Sequence, residues 1–571
     1  MLIRHCPGYG ALVLLLATSV AAAETCGDPS TPISDIQGRS EQSRYVGDTV
    51  TVEAILTRDA RGKGEFRGFY LQQADHQTDA DPNTSEALFV YTKRQQGRSG
   101  ERLRVQGKVK EFHGLTELTN ITSIEVCGEE ALPEAIHLSL PWPRNPESYE
   151  NMRVIFNHPL TVVDSYNLTR YGELTLAASD LVNPNEYRTP GTTTSTANLV
   201  LLDDGRSEQN PSPTPWPVGG LGRDNSIRAG SSVHQLQGVL DYRFDAWRIQ
   251  PTQAPGFRAT NPRRPAPARP AAEHLRVVTL NLGNLFNGDF PTSRGARTAE
   301  GYQAQQQRLV DALLAPDPDI LAVAELENDG YGENSAARAL AEALGQQWRM
   351  IATPGKDGND EIRTAIFYRN DRAVPAGKAE RLTRGAFSTR GRPPIAQTFR
   401  KPGGKASIRV VAAHLKSKSC RGASGADEDR GEGCYAKRRT REARGIAQWL
   451  ESLAHDSDLA GTLITGDLNS YARETPIATL EQAGYTSMMH RFHPCSADHC
   501  PHYTYRYKGQ KGTLDYALAS QTLIPRVLDA QSWLINADEP RGLGYRDTPA
   551  THQPSPWRSS DHNPVIIDIA L

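Results

Sequence analysis

The sequence predicts a multi-domain protein with a small N-terminal β-barrel, a second β-rich domain and a C-terminal α/β domain. The chain has 571 residues, too many for one hydrophobic core, so two to four domains are expected. Its first half contains short alternating segments typical of strands, whereas its second half alternates strand and helix patterns. Hydrophobic residues make up 38% and charged residues 23%, a composition that excludes wholesale disorder.

The first 23 residues have the pattern of a cleaved secretory signal peptide. Arg4 precedes an apolar run over 11–20, and small residues follow as far as Ala23. The run is too short to span a bilayer, and no later segment is long and apolar enough to do so. We therefore expect a secreted protein, periplasmic or extracellular, without a transmembrane segment.

Six cysteines remain once the leader is removed, and an even number in an exported protein suggests disulfides. The segment HRFHPCSADHCPHYTY also holds four histidines, so a zinc site is the alternative there. Its spacing matches no standard zinc signature, which favours a disulfide. By position along the chain, we predict the pairs Cys26 with Cys127, Cys420 with Cys434, and Cys495 with Cys500.

Residues 24–130 are predicted to form the barrel. Five segments between 40 and 127, among them DTVTVEAILTR and ERLRVQGKVKEF, have β-branched residues in alternation and are separated by turns. Five strands with a glycine-rich middle indicate an OB-like fold. Phe69 and Tyr70 either stack on bases or pack inside the barrel, and the pattern favours neither.

Two further segments precede the α/β domain. Residues 131–253 contain strand-like stretches between long loops rich in Pro, Gly, Thr and Ser, and we predict a second β-rich domain there. Residues 254–274 hold five prolines and four arginines without apolar periodicity, which is typical of an extended linker. Residues 275–571 form the α/β domain.

In the α/β domain, polar side chains follow or interrupt several buried strands. A single polar residue at a strand end can mark only the start of a loop, and Asp-His-Asn-Pro at 561–564 is also a common turn sequence. Six events in one domain indicate polar groups that converge at one mouth of a sheet. The residues are Asn281, Asn284, Glu325, His414, Asp467, Asn469, Asp515, Asp561 and His562.

These residue types favour metal-assisted hydrolysis of a phosphate ester. Glu325 and Asp561 offer hard oxygen ligands of the kind that Mg²⁺ prefers. Two histidines with aspartate partners can supply a base and a phosphate donor. The set contains no cysteine, no GxSxG and no phosphate-binding P-loop, which argues against acyl transfer and nucleotide-driven work.

Seven segments, in this order, resemble the endonuclease/exonuclease/phosphatase superfamily, which includes DNase I. With the leader and the OB-like domain, the chain is similar to secreted bacterial extracellular endonucleases. The resemblance implies a DNase I-like four-layer α/β sandwich over 275–571. The segments are TLNLGNLF, LAVAELENDG, RPPIAQTFR, AAHLKSK, ITGDLNSY, GTLDYALAS and SSDHNPV.

The resemblance also implies a role for each residue. Glu325 matches the principal metal-binding glutamate, with Asn281 and Asp561 beside it, and the implied cofactor is Mg²⁺, with Mn²⁺ or Ca²⁺ as alternatives. The implied catalytic residues are Asp467 and Asn469, which align the water or phosphate, the base His562, its orienting Asp515, and the phosphate-contacting His414. The implied substrate-binding residues are Asn284, Arg392 and Gln397.

The expected substrate is extracellular DNA, with RNA as a further candidate. Between Lys378 and Arg444 there are eighteen Lys or Arg against six Asp or Glu, which suits either a phosphate-steering face or a solvated surface. No base-reading motif is present, so cutting should be largely sequence-non-specific. The alternatives are a phosphodiesterase or phosphatase for phospholipids or small esters, and an inactive binding protein. No stable protein partner is evident.

Overall fold

The computed structural model describes residue 1 and residues 25–191, 198–269, 271, 273–354, 357–453, 457–544 and 555–571. The predicted signal peptide, residues 1–23, lies outside this part of the chain except for its first residue. None of the described helices is long and apolar enough to cross a membrane.

The N-terminal domain is a closed five-stranded barrel in the order β1-β2-β3-β5-β4. A short helix precedes it and packs against the third strand. The strand number agrees with the sequence pattern, and the OB-like type of the barrel stays a prediction. The elements are α1 (Ile33–Gln37), β1 (Thr49–Ala60), β2 (Gly68–Gln72), β3 (Ala87–Tyr91), β4 (Glu101–Phe112) and β5 (Leu115–Glu129).

The two aromatic residues of β2 are buried, so neither is available to stack on a base. Phe69 lies in the barrel core, and Tyr70 packs on Phe89 with a ring-centroid distance of 4.9 Å. Val239 of the second domain belongs to the same cluster as Tyr70. The barrel face that carries these rings is therefore covered by the second domain.

The second domain is built on a nine-stranded sheet in the order β15-β12-β8-β9-β11-β14-β13-β7-β6. Its strands are short because long loops of Pro, Gly and Thr separate them. The elements are β6 (Ile136–Leu138), β7 (Arg153–Phe156), β8 (Leu160–Asp164), α2 (Leu168–Tyr171), β9 (Leu174–Ala177), β10 (Leu181–Val182), β11 (Leu199–Leu202), β12 (Ser232–His234), β13 (Gln237–Arg243), β14 (Ala246–Pro251) and β15 (Gly256–Arg258).

The predicted linker 254–274 differs in the structure. Its first residues form β15, the edge strand of the nine-stranded sheet, so the second domain extends past its predicted end. Arg263 pairs with Glu539 at 2.7 Å, and Arg269 pairs with Asp319 at 2.7 Å. The arginines therefore fasten this segment to the C-terminal domain, and it is not a free connector.

The C-terminal domain contains two six-stranded sheets, one in the order β18-β19-β17-β16-β29-β28 and the other in the order β20-β21-β22-β23-β27-β24. Its elements are β16 (Leu275–Leu285), α3 (Ala299–Leu314), β17 (Ile320–Glu327), α4 (Ala336–Leu344), β18 (Trp348–Met350), β19 (Ile362–Arg369), β20 (Val374–Arg381), β21 (Arg392–Arg400), β22 (Ser407–His414), α5 (Ala436–Ser452), β23 (Leu459–Asp467), α6 (Thr475–Gln482), β24 (Tyr485–Ser487), α7 (Met488–Phe492), β25 (Tyr505–Tyr507), β26 (Gln510–Gly512), β27 (Asp515–Ser520), β28 (Val527–Ser532) and β29 (Val565–Ile569).

The packing of these elements gives four layers. One core cluster joins the two sheets face to face, with Val277 on one side and Val410 on the other. A second cluster packs α3 and α4 on the outer face of the first sheet, and a third packs α5 and α6 on that of the second. The implied helix–sheet–sheet–helix sandwich is therefore present.

A small third sheet joins the second domain to the C-terminal domain. Strand β10 pairs in parallel with β26, and β26 pairs with β25. Beside this sheet, Arg506 contacts Asp180 of the second domain at 2.7 Å and Asp538 at 3.0 Å. Glu186 accepts from the backbone N–H of Thr513 at 2.6 Å. The two domains are thus fastened through the segment that leads into β27.

All three predicted disulfides are confirmed: Cys26–Cys127, Cys420–Cys434 and Cys495–Cys500. The zinc alternative is not supported. Among the described residues, Glu186, His490 and Cys495 do bring ligand atoms within 4.8 Å of one another. Because Cys495 is bonded to Cys500, its sulfur is not the thiolate that binds zinc.

Candidate active site

The polar residues of the C-terminal domain converge where the two sheets meet the second domain, and local bulges aim several of them. Glu325 has φ 60°, Asn284 has φ 62° and Asn469 has φ 47°, all in the left-handed region. The ladders beside β17 and β16 shift register at the first two of these positions. Bulges re-aim side chains, and such backbone strain clusters at functional sites.

Glu325, Asn281 and Asp561 form an oxygen-rich corner. Asn284 Nδ2 donates to Glu325 Oε2 at 2.7 Å. Ser560 Oγ donates to the carbonyl of Asn281 at 2.6 Å, which ties the segment that carries Asp561 to β16. Burial raises the pKa of Glu325, and the negative charge of Asp561 raises it further.

These donors fit a divalent cation. Carboxylate and amide oxygens are the ligands that Mg²⁺ and related hard ions prefer. Glu325 and Asp561 are half-buried carboxylates that repel each other, and burial together with the charge of Asp561 raises the pKa of Glu325. A cation between them would stabilise their ionised forms, because it offsets this repulsion. Glu325, Asp561 and the oxygen of Asn281 therefore have the donor chemistry to hold such a cation. A second group of ligand atoms within 4.8 Å of one another is formed by Asp467, Asp515 and His562.

Asp467 is the centre of a buried hydrogen-bond network. Its Oδ2 accepts from Asn281 Nδ2 at 3.1 Å and lies 3.4 Å from His414 Nε2. Its Oδ1 accepts from the backbone N–H of Asn469 at 2.8 Å. Burial raises the pKa of Asp467 to about 7, against the lowering effect of His562. The network connects the oxygen-rich corner with both histidines.

His562 and Asp515 form a buried acid–imidazole pair. His562 Nδ1 lies 2.7 Å from Asp515 Oδ2, and the backbone N–H of Asp515 donates to Thr504 Oγ1 at 3.0 Å. Burial disfavours the imidazolium, but the carboxylates of Asp515 and Asp467 outweigh it and hold the pKa of His562 well above its usual range. Since Nδ1 is engaged, Nε2 is the nitrogen left to face the cleft.

His414 differs from His562 in that its surroundings favour the neutral imidazole. Burial lowers the pKa of its imidazole well below the usual range, and the positive charge of Arg392 lowers it further. Within the described part of the chain, its buried Nδ1 has no hydrogen-bond partner. The sequence shows no acidic partner for this histidine, and the structure places Asp467 beside its Nε2.

Of the predicted substrate-binding residues, two line the cleft and one does not. Asn284 and Arg392 are lining residues. Arg392 also holds the end of β22, since its Nε donates to the carbonyl of His414 at 3.3 Å. Gln397 lies within β21, where its amide donates to the carbonyls of Ala376 at 3.2 Å and Thr398 at 2.8 Å. Its amide serves the sheet, and the structure does not bring it to the site.

The site opens into a cleft of about 1630 Å³ that the second and C-terminal domains line together. Two contributors were missed by sequence reasoning. The ring of Tyr505 lies 4.6 Å from that of His562, and Trp247 comes from the second domain. The alternation TYRY ahead of Asp515 is a signal for the first. Nothing local in the sequence marks the second.

The basic block 378–444 contributes little positive charge to this cleft. Only Arg392 and Lys418 of the block are among the described lining residues. Lys418 Nζ also donates to Glu474 Oε2 at 2.5 Å, which neutralises it. Most of the block therefore belongs to other surfaces.

Comparison with known proteins gives one family and several solved structures. Residues 278–562 match the Endonuclease/Exonuclease/phosphatase family. No curated protein matches the chain. The catalytic domain of human Nocturnin with bound sulfate is 20% identical, with TM-score 0.35, and the match covers 52% of this chain and 94% of that one.

Two further solved structures are similar over the same share of the chain. A mannosyl-6-phosphatase of Bacteroides thetaiotaomicron is 16% identical with TM-score 0.35, covering 52% of this chain and 100% of that one. TDP2 of D. rerio complexed with a single strand DNA product is 15% identical with TM-score 0.34, covering 52% and 98%.

Proposed function

Residues 278–562 form a domain of the Endonuclease/Exonuclease/phosphatase family, and on that premise we propose that the protein is a divalent-metal-dependent nuclease that hydrolyses phosphodiester bonds of DNA. The observation that carries the proposal is the convergence of an oxygen-rich corner and two histidines of opposite character on one cleft. Members of the family are generally phosphoesterase hydrolases.

His562 is the group that handles the proton of the attacking water. Asp515 fixes its Nδ1 at 2.7 Å, which sets the tautomer and turns Nε2 towards the cleft. Because the neighbouring carboxylates outweigh burial and hold the pKa of His562 above its usual range, the neutral imidazole that can act as a base is populated as pH rises. In that form Nε2 accepts a proton from water as oxygen attacks phosphorus, and Asp515 stabilises the imidazolium that results. The chemistry requires only water as the second reactant, and the leaving alkoxide takes up a proton.

His414 and Asn469 act on the phosphate. A His414 imidazole with a lowered pKa is neutral, so it contacts a phosphate oxygen as a hydrogen-bond donor without an added charge. Asn469 Nδ2 donates to the carbonyl of Leu415 at 3.2 Å, which fixes the asparagine beside Asp467. Both residues orient the phosphorus for in-line attack.

Glu325, Asp561 and Asn281 are proposed to hold the cation, with Mg²⁺ as the expected ion and Mn²⁺ or Ca²⁺ as alternatives. A bound divalent ion supplies charge neutralisation at the phosphate oxygens. Asn284 keeps Glu325 in place through the 2.7 Å hydrogen bond. This support fixes the ligand's orientation.

Secretion and an OB-like barrel are part of the same proposal. Three disulfides support an oxidising, extracellular or periplasmic location. The five-stranded barrel has the strand number of an OB-fold. Because the second domain covers the ring-bearing face of β2, we assign the barrel a structural role and leave substrate contact to the cleft.

The test is cutting of covalently closed circular DNA, both supercoiled duplex and single-stranded, by the purified mature chain. We expect linear or relaxed products with Mg²⁺ and none with chelator. His562→Ala should lower the rate by at least about 100-fold, the lower end of the contribution of a general base. His499→Ala is the matched control and should cut normally, because His499 is exposed and is not among the described residues that line the cleft.

Three results would count against the proposal. Intact circles with every metal would remove the nuclease assignment. Release of phosphate from small monoesters without DNA cutting would make the protein a phosphatase of the same family. Full activity of His562→Ala would leave the metal chemistry in place and remove the base.

A further inference from the structure

The cleft has two walls of different chemistry, and we propose that the wall formed by the second domain is a base-binding subsite, so that the substrate is single-stranded nucleic acid. This inference rests on the proposed nuclease function and names its substrate class. The stacking platform is Trp247 with Tyr242, on the hairpin of β13 and β14.

The size of the cleft is the first observation. At about 1630 Å³ it exceeds the roughly 300–1,000 Å³ of pockets that enclose a drug-sized ligand. A small phosphate ester would fill only the floor, where the metal ligands and histidines lie. The remaining volume suits a polymer of which several units enter the cleft together.

The aromatic pair is the second observation. Tyr242 and Trp247 lie opposite each other in the hairpin, with ring centroids 4.9 Å apart. Both are half-buried and line the cleft, and so do Leu199 and Leu201 of the neighbouring strand β11. A partly exposed tryptophan beside an apolar strip is a surface on which bases of any sequence can stack.

The distribution of charge is the third observation, and it decides between single and double strands. On the C-terminal side, the described lining residues include Arg294, Arg392 and Lys508, besides Lys418, which Glu474 neutralises. Arg294 and Arg392 share Asp360 as an ion-pair partner. On the second-domain side, the described lining residues include no Lys or Arg, and Asp164 and Asp245 are present. The lining cations, and the carboxylates Glu325 and Asp561 that would hold a metal, lie on the C-terminal side, so that wall is the one suited to phosphate.

A single strand matches this asymmetry, because its phosphates can face the metal and cations while its bases face Trp247. A duplex carries a backbone on each of its outer edges, so its second strand would meet Asp164 and Asp245. Its bases are also stacked inside and are not available to an aromatic side chain. The wall thus favours unpaired nucleotides and discriminates against intact duplex.

The first experiment compares a labelled 20-nucleotide strand with the same strand annealed to its complement, using the full mature chain and Mg²⁺. We expect kcat/KM for the single strand to exceed that for the duplex by at least about tenfold. Equal values for the two substrates would overturn the inference and leave the nuclease proposal intact.

The second experiment removes the platform. Trp247→Ala should raise KM for the single strand about 5- to 150-fold with little change in kcat, the range expected for the loss of one stacked base. Trp247→Phe, which keeps a ring, should recover most of this loss. Phe244→Ala is the matched control, because Phe244 is 72% exposed in the same hairpin and is not among the lining residues.

A third measurement separates stacking from a loss of structure. Binding of the labelled strand in the presence of chelator, followed by fluorescence anisotropy, should weaken in Trp247→Ala and not in Phe244→Ala. Unchanged binding, or a fall in kcat equal to that in kcat/KM, would make Trp247 a structural residue and overturn the inference.

Hydrolysis of bis(p-nitrophenyl) phosphate distinguishes a failure of this inference from a failure of the proposed function. Hydrolysis of this small diester without cutting of either oligonucleotide would overturn both the base-binding wall and the nucleic-acid substrate, while the phosphodiesterase chemistry survives. No hydrolysis of either kind of substrate would overturn the proposed function, and the inference falls with it.

Discussion

Replacing Asp515 with asparagine tests how the site sets the state of its base. The substitution keeps the volume of the side chain and removes the negative charge that lies 2.7 Å from His562 Nδ1. An amide NH₂ in that position donates to Nδ1, which forces the proton to Nε2. The nitrogen that faces the cleft then has no lone pair with which to accept a proton.

The surroundings of Asp515 set the size of the expected fall in kcat. Asp515 is fully buried, and a hydrogen bond between charged groups contributes about 1.5–3 kcal/mol. Coulomb attraction between unit charges about 4 Å apart at an effective dielectric of about 20 is about 4 kcal/mol, which bounds the stabilisation of the imidazolium. With tenfold in rate per 1.36 kcal/mol, kcat should fall about 100- to 1,000-fold.

The assay is the initial rate of nicking of circular DNA at saturating Mg²⁺, with unfolding measured beside it. Asp529→Asn is the matched control, since Asp529 lies 3.5 Å from His493 Nε2 and is not among the described residues that line the cleft. It should leave kcat unchanged. A folded Asp515→Asn variant that keeps more than a third of the wild-type kcat would show that Asp515 does not set the tautomer of His562.

Two further predictions concern the metal and the domain contact. Glu325→Gln should raise the Mg²⁺ concentration for half-maximal activity at least about tenfold, and Mn²⁺ binding measured by EPR should weaken by a similar factor. Glu327→Gln is the control, because Glu327 lies in the same strand and is not among the described residues that line the cleft. Equal metal affinity of Glu325→Gln and the wild type would contradict the assignment of Glu325 as a ligand. The carboxylate of Glu150 accepts from the backbone N–H of Thr116, and burial raises its pKa well above the usual range. The folded state therefore binds more protons than the unfolded state, whose glutamate has a pKa of about 4.3. The free energy of unfolding falls as pH rises above that value. Glu150→Gln should therefore raise Tm by a few degrees, the effect of about 1 kcal/mol, at pH 8 and not at about pH 3.5, below the unfolded pKa of glutamate. An equal shift at both pH values would exclude ionisation as the cause.

Much of the site could be predicted because its residues stand in short segments at strand ends. Asp467 and Asn469 follow an apolar strand, and Asp561 and His562 precede one, so their positions are visible in a single sequence. Glu325 follows the apolar run ILAVA, so its position is visible in the sequence too, but its backbone conformation is not. In the sequence ILAVAELE looks like an uninterrupted strand, and the bulge that turns Glu325 to φ 60° depends on the neighbouring ladders.

Other sequence-based expectations differ from the structure because they depend on where folding places a residue in space. Gln397 sits in RPPIAQTFR, which carries the resemblance, but it is five residues along β21 from Arg392, so it lies too far from the mouth of the sheet. The basic block suits either a phosphate-steering face or a solvated surface in the sequence, and among its described residues only Arg392 and Lys418 line the cleft. Prolines and arginines at 254–274 indicate an extended chain, and ion pairs to Glu539 and Asp319 then fix it.

The second domain shows why the substrate side of the cleft is invisible in the sequence. Strand β10 has two residues, and it becomes a strand only because Leu181 and Val182 pair with Gln510 and Lys511, more than 300 residues away. That pairing brings Trp247 into the same cleft as His562. The proposed catalytic groups stand in local motifs of one domain, whereas the wall proposed to select the substrate forms only where two domains dock. If both proposals hold, variation in the docked domain changes what the site accepts without altering its chemistry.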